Sequence, residues 1–333
     1  MPFKFAYLCD LLSRLESLET RDVPMTKDQR RRKNCEIIQA WFKSHRKNID
    51  ADDVDRVALL STLLPERRTD RVYGLQGPSL AKVLGRCLGL GAQRLRILYA
   101  WKVTDREDLA TCISKIQRAT DAGLPQSSVT VEEIDAALGK IAAQCRFSSP
   151  NVRALAEGKP KVLLHEILRA ILRRLPARDL KWLIRLILKR FDPVTLDEKF
   201  ILHSFHFLLP RILKFQSSFQ AAVQLLNNSL LANMPAQPDR GSEDALRAAA
   251  SEHLAPRLGI NIGRPEYYKA RSVNIVFNSL DPDVGTSNPS TTGNTVSCTS
   301  IFQKGKTAFR YFRKVRKTPP RTELEFMLGL KIV

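Results

Sequence analysis

Apolar residues recur along this chain at three- and four-residue steps, and strand-period alternation is hardly seen before residue 255. Residues 3–18 set the pattern. Phe5, Leu8, Leu11, Leu12, Leu15 and Leu18 are interleaved with Asp10, Arg14 and Glu16, which puts one apolar stripe on an α-helix. The same spacing predicts helices over 35–44, 54–64, 79–88, 93–103, 109–119 and 129–144, the last opened by the capping box Thr130-x-x-Glu133. Further helices are predicted over 160–175, 178–191, 200–209 and 212–231. Pro160 suits a first helical turn, because its φ is already helical and its missing N–H would have no intrahelical partner. Pro176 ends that helix. The helix after residue 191 is expected to be capped by Thr195-x-x-Glu198. Connections are short and rich in Gly, Pro and Asp. The expected fold class is all-α, a compact multi-helix array.

Two consecutive helices carry a second pattern. Lys161, His165, Arg169 and Arg173 step by four, opposite Leu164, Ile167, Leu168, Ile171, Leu172 and Leu175. Arg178, Lys181, Arg185 and Lys189 then form a stripe opposite Leu180, Leu183, Ile184, Ile187 and Phe191. Such stripes are commonly solvated faces. Here Glu166 and Asp179 are the only carboxylates in the pair, so the two helices are expected to turn their cations outward together as a cradle for a polyanion. Two loops add to this. Residues 70–77 place Gly74 and Gly77 close to Arg71, and backbone without side chains can approach a phosphate; an ordinary helix–helix turn stays open as the alternative. Residues 189–194 bring Lys189 and Arg190 to a second turn.

Charge sharpens the picture. The chain has 54 Lys and Arg against 34 acids, a net charge of +20 and a pI near 10.0, which favours a nucleic acid or an anionic membrane over an acidic small molecule. No stretch approaches the roughly 18–20 uncharged apolar residues of a membrane helix, so no membrane partner is expected. Asp10, Arg14 and Glu16 interrupt the first apolar run, which does not read as a signal peptide. The 333 residues, 44% of them hydrophobic, allow one large or two ordinary domains. Cys9, Cys35, Cys87, Cys112, Cys145 and Cys298 are scattered without a Cys-x-x-Cys pair, which points to reduced thiols in an intracellular protein. His203 and His206 lack a third ligand and read as packing, so no metal site is expected. Gly85, Gly89 and Gly91 are not followed by the Gly-Lys-Ser/Thr of a phosphate loop, and no hydrolase elbow or zinc-protease motif occurs.

Leu63-Leu64-Pro65-Glu66-Arg67, Tyr73-Gly74, Leu80-Ala81-Lys82 and Lys181-Trp182-Leu183-Ile184-Arg185 with its basic turn resemble the N-terminal DNA-binding domain of eukaryotic ATP-dependent DNA ligases, the ligase IV type in particular. The resemblance extends over about residues 3–280, with 253–272 similar to the entrance of the nucleotidyltransferase domain of fungal ligase-like proteins. It implies a helical DNA-binding domain at 1–234, a linker at 235–252 and the start of a nucleotidyltransferase domain at 253–280. Residues 281–333, rich in Ser, Thr, Asn, Gly and Pro and then in cations and aromatics, are unassigned and read as disorder. The resemblance further implies duplex DNA with nicked or broken ends as the partner, a repair scaffold protein as another, and a nuclear setting in repair, end joining, recombination and replication. DNA contacts are expected from Arg71, Gly74, Lys82, Arg169, Arg173, Lys181, Arg185, Lys189 and Arg190. In the second loop Phe191-Asp192-Pro193 replaces the family's usual turn and its glycine is lost.

The family joins DNA with ATP and Mg²⁺ through the lysine of a Lys-x-Asp-Gly motif, a form of covalent catalysis. The sequence contains no Asp-Gly dipeptide. No catalytic residue, no bound cofactor and no ligation are therefore expected of this chain alone. A reading of a different class also stands: a helical scaffold for protein partners, without catalytic activity, whose charge serves solubility or acidic partners.

Overall fold

The computed structural model describes residues 2–20, 25–102, 107–118, 128–158, 160, 162–216, 218–227, 231–251, 254, 310–313 and 326–329. The chain divides into two compact units. The first, residues 1–209 with 233–238, holds α1 (Phe5–Glu19), α2 (Lys27–Ile49), α3 (Arg56–Leu63), α4 (Gly77–Cys87), α5 (Ala92–Tyr99), α6 (Leu109–Arg118), α7 (Val131–Ala143), α8 (Pro150–Ala154), α9 (Leu164–Leu172), α10 (Ala177–Ile187) and α11 (Glu198–Phe205). The second unit, 210–232 with 239–333, holds α12 (Leu209–Phe215, opening on the last residue of the first unit), α13 (Phe219–Leu226) and α14 (Arg240–Ser251). It also contains two short antiparallel strands, β1 (Arg310–Arg313) and β2 (Phe326–Gly329), with Arg310 opposite Gly329. The all-α class expected from the periodicity is the class of the fold.

The core of the first unit is built on α1, which buries Phe5, Leu8, Cys9, Leu11, Leu12, Leu15 and Leu18 and packs against α2 and α10. α10 also packs along α6. Trp182 of α10 is wholly buried and its indole N–H donates to Ser13 Oγ at 2.8 Å, giving the one polar atom of a large apolar group its partner. At the start of α1, Phe5 N–H donates to Val129 O at 3.0 Å and Val131 N–H to Phe3 O at 2.8 Å, which ties residues 3–5 to the start of α7.

Several element ends depart from expectation, each for a local reason. α2 starts at Lys27, far ahead of residue 35, because Thr26 and Gln29 make a reciprocal capping box. Thr130 caps α7 as expected, accepting from Glu133 N–H at 3.2 Å. The Glu133 carboxylate, however, binds Arg174 at 2.6 Å. Pro160 lies outside α9, which begins at Leu164 where Ile167, Leu168, Ile171 and Leu172 reach the core. Pro176 is the N-cap of α10. α10 stops at Ile187 in a Schellman turn: Lys189 adopts φ 54, Lys189 N–H donates to Leu186 O at 3.0 Å and Arg190 N–H to Arg185 O at 2.9 Å. Phe191 therefore falls beyond the helix. Asp197, not Thr195, caps α11, its carboxylate accepting from Phe200 N–H at 3.2 Å. The run 212–231 is broken into two helices, and α14 occupies most of the segment expected as a linker. The expected disorder of 281–333 lies outside the described residues apart from β1 and β2, and so does the expected start of a catalytic domain apart from Leu254.

Candidate nucleic-acid interface

α4 opens on Gly77-Pro78, with Gln76 N–H donating to Ser79 Oγ at 2.9 Å. It closes where Gly89, at φ 60, lets Leu90 N–H reach Gly85 O at 3.0 Å. Between these ends Leu80, Ala81, Leu84 and Cys87 are buried, while Lys82 and Arg86, four residues apart, are exposed. α9 repeats the arrangement: its apolar face is buried, and Arg169 and Arg173, again four apart, are exposed. The two helices pack together, and the Cys87 thiol reaches His165 O at 3.3 Å. Burial pushes the Cys87 thiol up in pKa, and the charge of Arg169 opposes that shift.

None of these four cations has an ion pair or side-chain hydrogen bond among the described residues. α4 contains no acid and α9 only Glu166. Arg94 and Arg96 on α5, which packs against α4, are likewise exposed. Like charges at i, i+4 on a helix destabilise it by about 0.2–0.5 kcal/mol per pair. An anion laid across them removes that repulsion. Phosphates spaced along a duplex are such an anion.

The stripe on α10 is different, and the expectation that it faces outward is corrected. Arg178 Nε binds Asp179 Oδ1 at 2.9 Å. Lys181 pairs with Glu16. Arg185, with 6% of its side chain exposed, donates from Nη1 to Glu16 at 2.8 Å and from Nε to Asp108 at 2.8 Å, and lies 4.8 Å from the centroid of the Trp182 ring. For Lys181 and Arg185 the reason is positional: Glu16 of α1 and Asp108, just before α6, are acids remote in sequence brought onto this face, whereas Arg178 remains exposed beside its own neighbour Asp179. Lys189 Nζ donates to Arg71 O at 2.7 Å and to Arg68 O, 5.4 Å from the Tyr73 ring centroid, and its burial lowers its pKa. Arg190 is exposed and unpaired among the described residues.

The loop 70–77 is strapped rather than open. Arg71 grips Asp135 with two bonds of 2.6 and 3.0 Å. Val72 N–H donates to Ser148 Oγ at 2.9 Å, which returns a bond to Val72 O at 3.1 Å, and Ser149 N–H donates to Asp70 O at 2.9 Å. Burial pushes the Tyr73 phenol up to about 12. Gly74 is exposed at φ 64, and that left-handed backbone accounts for the glycine without a ligand. Of the nine residues expected to meet DNA, Lys82, Arg169, Arg173, Arg190 and Gly74 are thus at the surface. Arg71, Lys181, Arg185 and Lys189 hold the fold together. Arg86 was not singled out in the sequence, although it lies one turn from Lys82 in an acid-free helix.

His206 is buried, accepts from Leu208 N–H at 3.2 Å through Nδ1 and stacks on Phe207. Burial, with the charges of Arg46 and Arg56, holds its pKa down to about 4. It is a packed neutral ring. Among the described residues there is no cluster of His, Cys, Asp and Glu arranged to hold a metal, and no helix is long and apolar enough to cross a membrane.

The family model for the DNA ligase N terminus matches residues 4–206. Two curated DNA ligase 4 sequences from Coprinopsis cinerea, one of them from strain Okayama-7, are each 28% identical to this chain over 188 residues. That match spans 54% of this chain and 16% of either relative.

Proposed function

Since the chain belongs to the DNA ligase N-terminus family, we propose that it grips nicked or broken duplex DNA through the surface shared by α4 and α9. In this reading it is the DNA-positioning part of a type IV ATP-dependent ligase in nuclear DNA repair. The observation that carries it is the set Lys82, Arg86, Arg169 and Arg173: exposed, without partners among the described residues, on two packed helices that bear one acid between them. Arg94 and Arg96 extend the same cationic region, and Arg190 is a further contact. Contacts of this kind neutralise phosphates and read no bases, so binding is nearly independent of sequence and falls steeply with salt. ATP and Mg²⁺ belong to the joining reaction of the family, and no residue of α4 or α9 is assigned to them.

The test is duplex binding over a salt series. Each phosphate contact contributes about 0.9 to the slope of log affinity against log salt. Replacing Lys82, Arg86, Arg169 and Arg173 together by Ala should flatten that slope by about 3–4 units and weaken binding to all sequences alike. Arg185→Ala, once shown to be folded, should leave the slope as it was. An unchanged slope in the fourfold variant would place the interface elsewhere. If an acidic polypeptide of equal charge competes as well as nicked duplex, the protein scaffold reading takes over.

A further inference from the structure

Phe147 is 69% exposed, the most exposed large apolar side chain among the described residues. The Arg146 guanidinium lies 4.6 Å from the centroid of its ring, and Arg146 has no acidic partner among the described residues. An aromatic ring left in water is ordinarily a cost. Here the backbone that carries it is held firmly. Cys145 N–H donates to Ala142 O at 3.0 Å and Ser148 N–H to Cys145 O at 3.1 Å. Ser148 is 4% exposed and makes the double bond to Val72 described above, while Ser149 N–H holds Asp70 O at 2.9 Å. The ring therefore stands on a rigid mount.

Its position is informative as well. Cys145 Sγ lies 3.6 Å from where a Cβ on Gly74 would stand, and Gly74 is three residues ahead of the first residue of α4. The turn that carries Phe147 thus touches, through Cys145, the loop leading into the helix that carries Lys82 and Arg86. An exposed aromatic face with a guanidinium over it, on a turn that touches the approach to a cationic helix, is chemistry suited to unpaired bases: the ring stacks on the base and the cations follow the backbone. An intact duplex offers no such base. An overhang or frayed end does.

We infer that Phe147 and Arg146 form a stacking platform for an unpaired nucleobase at the end of the DNA lying on the α4–α9 surface. The inference rests on the duplex-binding reading and adds a substrate feature to it, the single-stranded end. The full chain is titrated with a blunt duplex and with the same duplex bearing a short single-stranded overhang, the overhang base being 2-aminopurine. The parent should bind the overhang more tightly and change the 2-aminopurine fluorescence on binding. Phe147→Ala should lose about tenfold in affinity for the overhang, lose the fluorescence change, and bind the blunt duplex as the parent does. Phe147→Trp should keep both signals, and Phe147→Leu should not.

Equal affinity of Phe147→Ala and the parent for the overhang would overturn the platform. An equal loss on both DNAs would overturn it too, by making Phe147 a general duplex contact. If the parent binds neither DNA, the duplex-binding reading itself fails and the platform falls with it. Normal blunt binding with no overhang effect sinks the platform alone.

Discussion

Arg185 illustrates how a surface charge and a structural charge differ. Its guanidinium is almost fully enclosed, yet three of its surroundings compensate: Glu16, Asp108 and the face of Trp182. Removing one partner of a buried ion pair costs about 3–5 kcal/mol when the other is left uncompensated; here Glu16 keeps Lys181 and the Asp108 side chain is 40% exposed, which puts the cost at the low end. Arg185→Ala should therefore lower stability by about 3 kcal/mol at neutral pH, read as the urea midpoint. The pH dependence has a definite sign. Burial alone would raise the Asp108 carboxyl, but hydrogen bonds and charge from Arg185, with Thr111, outweigh it and hold it below its ordinary value. A carboxylate depressed in the fold contributes stability that is complete above its unfolded value of about 3.9 and is lost as pH falls through the folded one. The gap between parent and Arg185→Ala should accordingly narrow below about pH 4. A gap that stays constant down to pH 2 would mean that Asp108 is not coupled to Arg185.

At the scale of elements, the junction of α10 with the loop 68–76 is the sharpest case. Lys189 occupies the left-handed position of a Schellman turn, where glycine is favoured, and its ammonium is bound by two carbonyls of that loop. Lys189→Gly would relieve about 1 kcal/mol of backbone cost but remove a charged donor whose bonds are worth about 1.5–3 kcal/mol. The expected outcome is a net loss of stability with faster hydrogen exchange at the Val72 amide. A more stable glycine variant would show that the strap contributes little. Helices such as α1, α7 and α10 were legible in the sequence because periodicity and caps act within a few residues. Their ends were less so: the Thr26–Gln29 box and the Asp197 cap went unrecognised, and nothing within 178–191 marked Lys189 as the stop. The destination of the α10 cations was not legible at all, because Glu16 lies 169 residues from Arg185 and spacing within one helix carries no information about acids on another. Acids are as scarce within α9 as within α10, one in each. Lys82, Arg169 and Arg173 stay at the surface because no acid of another element reaches them among the described residues, which the spacing could not have shown either.

Across the whole chain, a net charge of +20 attracts polyanions from a distance, but long-range attraction and contact are separable. α2 also exposes Arg32, Lys33, Lys43 and Lys47 without partners among the described residues, and it shares its length with Asp28 and Glu36 and with the paired Arg30, Arg31 and Arg46. Cations that only steer raise the association rate at low ionic strength and leave dissociation alone, whereas cations in contact slow dissociation. Neutralising the four α2 cations with Gln should therefore slow association at low salt, with the effect fading as the Debye length shrinks toward about 8 Å at physiological salt. Neutralising Lys82, Arg86, Arg169 and Arg173 should instead speed dissociation at every salt concentration. Stopped-flow association and chase-driven dissociation with one labelled nicked duplex separate the two. Faster dissociation from the α2 variant, with little from the α4–α9 variant, would move the contact surface to α2 and leave the four cations on α4 and α9 as a solvated face.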